Sequence, residues 1–152
     1  MNKIILLILF PIFIFAGSLP DSIKTPGDTV RFTMLMYICN KESLEDQPIS
    51  NNIKNIVFRN YKIPYEIRNK YELDYLIPVN LGGNAEVKNV WPQYKTGIWS
   101  VYRKNKLEDM LNWMVCNAKI TLREARFVIR KDWVKAYKYY ILKDTTIIIE
   151  VK

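Results

Sequence analysis

Cys39 and Cys116 are the only two cysteines in the 152-residue chain, and whether they pair limits its folding more than any other feature. A bridge between them closes a separation of 77 residues. The compartment decides whether that bridge forms. Residues 1 to 18 read as a secretory signal: Lys3 gives a basic start, Ile4 to Phe15 is almost wholly apolar, and Ala16-Gly17-Ser18 offers small residues for cleavage. The alternative, an uncleaved anchor, needs roughly 20 apolar residues, and this run is shorter and interrupted by Pro11. Export to the periplasm or the medium places both cysteines in an oxidising environment and predicts a Cys39–Cys116 disulfide. In the chain-entropy account that bridge contributes about 4 kcal/mol. The competing reading is two buried thiols, each packing as a small hydrophobe.

The chain contains no histidine. That excludes Ser-His-Asp and Cys-His catalysis, His-containing zinc sites and the H-E-x-x-H motif, and two cysteines alone cannot complete a four-thiolate zinc site. Any chemistry must use carboxylates, amides, hydroxyls, Lys or Arg. Apolar residues make up 49% of the sequence, enough for a core in one domain from residue 19 to 152. The formal charge of +8 favours a polyanionic partner, nucleic acid or an anionic surface, although lysine-rich surfaces also serve solubility alone.

Periodicity supplies the elements. Leu19 to Thr29, with Pro20, Pro26 and Gly27, reads as a loop. Val30 to Ile38 alternates with period two, a strand pattern that leaves a helix open. Ile53 to Tyr61 has helical spacing, and Tyr71 to Val79 is strand-like and stops at Gly82-Gly83-Asn84. Trp91-Pro92 ends a second extended piece. Helical intervals return from Ile98 to Val115, and the Thr121-Leu122-Arg123-Glu124 capping box opens a helix to about Ile141. Thr145 to Val151 is β-branched and apolar, either a last strand or an exposed segment. Trp91 and Trp99 suit the core better than a base-stacking role.

The segment Tyr71 to Gln93, YELDYLIPVNLGGNAEVKNVWPQ, resembles the HNH nuclease family in its small exported bacterial branch, which reads Tyr-Glu-x-Asp-His-Leu-Ile-Pro-Leu-x-Leu-Gly-Gly and then Asn-Leu-Trp-Pro-Gln. Thr25-Pro26-Gly27, Ile38-Cys39, Lys106-Leu107-Glu108, Val115-Cys116, Asp132-Trp133 and Ala136-Tyr137 extend the resemblance over roughly Thr25 to Tyr140. It implies an α+β domain with a ββα-metal core, additional helices and one disulfide. It also implies a divalent cation, Mg²⁺ or Mn²⁺, if the site is active, and none if it is not.

By motif, Asp74 takes the position of the metal-ligand Asp, Asn89 that of the loop-bracing Asn, and Tyr75 that of the general-base His. Trp99-Ser100-Val101-Tyr102 stands where the branch often has Trp-Asn-Ala-His, which puts Tyr102 in the place of a further ligand. An unperturbed phenol is only about 0.1% ionised at neutral pH, so Tyr75 is a poor base. The resemblance therefore implies an exported nuclease-like protein with a degenerate site that holds nucleic acid with little or no cleavage. Its cationic side chains would be Arg123, Arg126, Arg130, Lys131, Lys135 and Lys138 on the last helix. Two alternatives remain open at this point: an active metal-dependent endonuclease drawing on Glu66, Glu72 or Glu108, and a protein-binding or effector module that reuses the scaffold.

Overall fold

The structure, a computed structural model, describes residues 19–31, 33–40 and 48–149. The signal reading of residues 1 to 18 and the end of the apolar tail lie outside the described residues. The elements run α1 (Leu35–Cys39), α2 (Asn51–Asn60), a 3₁₀ turn (Tyr65–Lys70), β1 (Tyr71–Tyr75), a second 3₁₀ turn (Val79–Leu81), β2 (Val90–Tyr94), α3 (Val101–Cys116) and α4 (Leu122–Tyr140). The class is α+β, with a two-stranded ribbon among helices.

The ribbon forms where the sequence places its two extended runs. β1 and β2 pair antiparallel, with Tyr71 opposite Tyr94, Asp74 opposite Trp91 and Tyr75 opposite Val90. β2 does not stop at Trp91-Pro92 but continues to Tyr94. Pro92 is tolerated because each strand of a two-stranded ribbon keeps one free edge, where a missing N–H breaks no ladder. Between the strands the chain doubles back so tightly that a Cβ on Gly83 would lie 1.7 Å from the Ile77 carbonyl oxygen. Only a glycine fits there.

The helices follow from their caps and their apolar spacing. Ser50 Oγ accepts from Ile53 N at 3.3 Å to start α2. At α4 the Thr121–Glu124 capping box forms in both directions, with Glu124 N donating to Thr121 Oγ1 at 3.1 Å and Thr121 N donating to Glu124 Oε2 at 2.6 Å. α4 is not one continuous helix. Asp132 has extended backbone angles (φ −166°, ψ 92°), and its Oδ1 accepts from Lys135 N at 2.9 Å, as an N-cap does when a helix restarts.

α3 and α4 enclose the core. Leu107, Leu111 and Val115 face Ala125, Val128, Ile129, Trp133, Ala136 and Tyr137. Trp99 closes one end, edge-on to Trp133 and Tyr137 with centroids 5.9 Å away in each case, and Trp91 is buried in the ribbon. Both tryptophans are packing residues here.

The Cys39–Cys116 disulfide is present, with Cα atoms 5.4 Å apart, and ties α1 to the end of α3. This tie also accounts for a correction. In its described residues the alternating segment Val30 to Ile38 is not a strand: an isolated bridge joins Thr29 to Gly83, and Leu35–Cys39 is a helix. Among the described residues no second strand lies alongside to reward extension, whereas the turn buries Ile38 and presents Cys39 to Cys116. The tail likewise adds no strand within its described part. Thr145 and Thr146 form a turn, and Ile149 packs against the core while Ile148 is exposed.

Candidate functional site

The loop between the strands is built on Asn89, which is fully buried. Its Nδ2 donates to the carbonyls of Ile77 and Asn84, both at 2.9 Å. Its Oδ1 accepts from Ile77 N at 2.9 Å and from Asp28 N at 3.3 Å. One side-chain amide thus joins both limbs of the hairpin loop to the N-terminal Thr-Pro-Gly-Asp segment.

At the end of β1, Asp74 turns inward and meets a residue that motif reasoning did not single out. The Lys104 Nζ lies 2.8 Å from Asp74 Oδ2, with side-chain exposures of 0% and 9%. The contact is an ion pair rather than a well-directed hydrogen bond. The same ammonium pairs with Glu108 one turn along α3 and donates to the main-chain carbonyl of Tyr75. Burial alone would depress the Lys104 ammonium, but Asp74 and Glu108 offset this and hold it above its ordinary value. Burial pushes the Glu108 carboxyl up to about 7, against the pull of Lys104. One ammonium thus stands between two carboxyl groups.

The signal for Lys104 was in the sequence. Carried one turn back, the buried stripe Val115, Leu111 and Leu107 lands on position 104, where an apolar residue belongs and a lysine stands. A lysine is almost never fully buried without a counter-charge, and Glu108 follows at the i,i+4 spacing of a helical ion pair.

The other expected site residues are dispersed. Tyr75 is half-buried, and burial first, then the Asp74 charge, raises its phenol above the ordinary value, which moves it further from base duty. With Tyr71, Phe58, Arg68, Lys54 and Lys95 it lines an open groove of about 970 Å³ between α2 and the ribbon. Tyr102 is 65% exposed on the first turn of α3, with the Lys106 ammonium 4.7 Å from its ring centroid. Glu66 and Glu72 are exposed, and Glu108 reaches Asp74 only through Lys104.

A hard divalent cation at this place would need oxygen ligands free to close on it. The residues present do not fit one. Asp74 and Glu108 already share an ammonium, and Tyr102 is at the surface. Among the described residues, no group of three His, Cys, Asp or Glu side chains is placed to hold a metal ion.

The cationic series of α4 divides in two. Arg123, Arg126 and Arg130 line one cleft of about 680 Å³ against Gly27, Asp28 and Thr29. Arg126 is half-buried there, its Nε donating to the Leu81 carbonyl at 2.6 Å, so part of its role is structural. Lys131 lines a different depression, shared with Arg130 and the Leu19–Ser22 stretch, and Lys138 lies 5.7 Å from the Trp99 ring centroid. Lys135 is exposed beyond the break at Asp132.

No described helix is long and apolar enough to cross a membrane. In comparisons with known proteins, no family model, no curated protein and no solved structure matched the chain.

Proposed function

We propose that this protein is an exported, HNH-like nucleic-acid-binding protein that holds a polynucleotide without hydrolysing it. The observation that carries the binding half is the convergence of Arg123, Arg126 and Arg130 on one cleft, where guanidinium forks suit phosphate oxygens and polyanion binding releases counterions. Two features of the site support the reading without hydrolysis. Tyr75 offers a phenol raised by burial where the family resemblance expects a base, and Lys104 occupies the carboxylates that would ligate a cation.

The binding half is tested by fluorescence anisotropy of labelled single- and double-stranded oligonucleotides across a salt series. Affinity should fall steeply with salt, and Arg130→Glu with Lys131→Glu should weaken binding to all sequences alike. Arg126 is left intact because of its bond to Leu81. No affinity at low salt would remove nucleic acid as the partner.

A second reading, a protein-binding module, is favoured by one feature: Met34, Leu35, Met36 and Tyr37 are consecutive and all at least half exposed beside the disulfide. Under that reading Met36→Asp would leave oligonucleotide affinity unchanged and abolish capture of a protein partner.

A further inference from the structure

Three oxygen acceptors converge on a single buried point at the junction of ribbon and helix: the Asp74 carboxylate from β1, the main-chain carbonyl of Tyr75 beside it, and the Glu108 carboxylate from α3. Two carboxylates and a carbonyl are the ligand chemistry of a hard cation. The group at their centre is the Lys104 ammonium, whose side chain has no exposed surface. Its stem enters from the helix that also carries Glu108, so the charge is delivered by the chain and cannot leave by dissociation.

We propose that Lys104 is a resident cation: it replaces a bound divalent ion in tying the ribbon to α3, and it closes the Asp74–Glu108 site to metal. The argument rests on geometry and charge. A divalent ion placed between the same carboxylates would lie within a few ångströms of the ammonium, and two cations in a buried site repel with little screening. Removing Lys104 would have the opposite effect and leave two buried carboxyl groups without a counter-charge. This inference is independent of nucleic-acid binding and stands or falls whether or not a polynucleotide is held.

The test is thermal unfolding of the full mature protein with excess chelator and with millimolar Mg²⁺ or Mn²⁺, in the unmodified chain and in two variants. The unmodified protein should show the same melting temperature in chelator and in metal. Lys104→Ala should melt lower in chelator and recover with rising Mn²⁺, because an ion that binds only the folded state stabilises it in proportion to the logarithm of its concentration. Lys104→Met fills the same channel with an uncharged stem, so it should melt lower and gain nothing from Mn²⁺.

Where Lys104→Ala does not fold without metal, Asp74→Asn combined with Lys104→Met decides the matter. The double variant should be more stable than Lys104→Met alone, since it no longer buries the Asp74 charge unpaired. A melting temperature of the unmodified protein that rises with Mn²⁺ and loses that response in Asp74→Asn would overturn the proposal. So would a double variant no more stable than the single one.

Discussion

Asn89 bonds the same residue twice: its Oδ1 accepts from Ile77 N and its Nδ2 donates to the Ile77 carbonyl, each at 2.9 Å. This pairing imitates a strand ladder at a place where the chain has none, and it fixes the loop that carries the end of β1. Asn89→Ala leaves the buried Ile77 N–H and carbonyl and the part-buried Asn84 carbonyl without this partner, each buried group costing about 1–3 kcal/mol. The expected loss is therefore about 3 kcal/mol or more, measurable as a shift in the urea midpoint. A change below about 1 kcal/mol would mean that water takes over these bonds and the loop is not held by Asn89.

The disulfide offers a second check on stability. It joins α1, a helix of five residues that cannot persist alone, to the last turn of α3. Reduction, or Cys39→Ser with Cys116→Ser, should cost about 4 kcal/mol for a loop of 77 residues. Comparing urea melts with and without reductant measures it. Identical melts would show that α1 contributes no long-range constraint.

Glu108 predicts how stability follows pH. Burial raises its carboxyl from 4.5 to about 7, against Lys104 and together with Asp74 and Asp109. Between those values the folded protein keeps a proton that the unfolded chain has released, so stability falls as pH rises through the interval and levels off above about 7. Glu108→Gln mimics the protonated form and should flatten this slope. Melting temperatures from pH 4 to 8, roughly the range over which the carboxyl titrates, check it. A slope of the opposite sign in the unmodified protein would place the excess proton elsewhere.

Much of the scaffold was legible because local signals agreed with tertiary ones. The two extended runs around Gly82-Gly83 became the ribbon, the Thr121–Glu124 box capped α4, and the even cysteine count gave the bridge. What escaped depended on contacts distant in sequence. The alternation from Val30 to Ile38 fits a strand, but only a neighbouring strand would hold it there, and the disulfide and the burial of Ile38 turned Leu35–Cys39 into a helix. The six cations of α4 read as one series because periodicity cannot show the interruption at Asp132. Lys104 escaped because charge was read as surface. Its place in the Leu107–Leu111–Val115 stripe marks it as a core position, and only the arrival of Asp74 from β1 explains why a lysine can stand there.

Lys104 holds the carboxyl groups of Asp74 and Glu108, the proposed function takes Tyr75 to stand where a base would, and the most direct test of both is a cleavage assay on the unmodified protein. Supercoiled plasmid and single-stranded RNA are incubated with the protein and Mg²⁺ or Mn²⁺ at low salt, beside an Asp74→Ala control. The account predicts retention of the nucleic acid by the protein and no nicked, linear or shortened product above the buffer blank. Metal-dependent cutting that Asp74→Ala abolishes would show that Asp74 serves a cation despite Lys104, and would contradict the account.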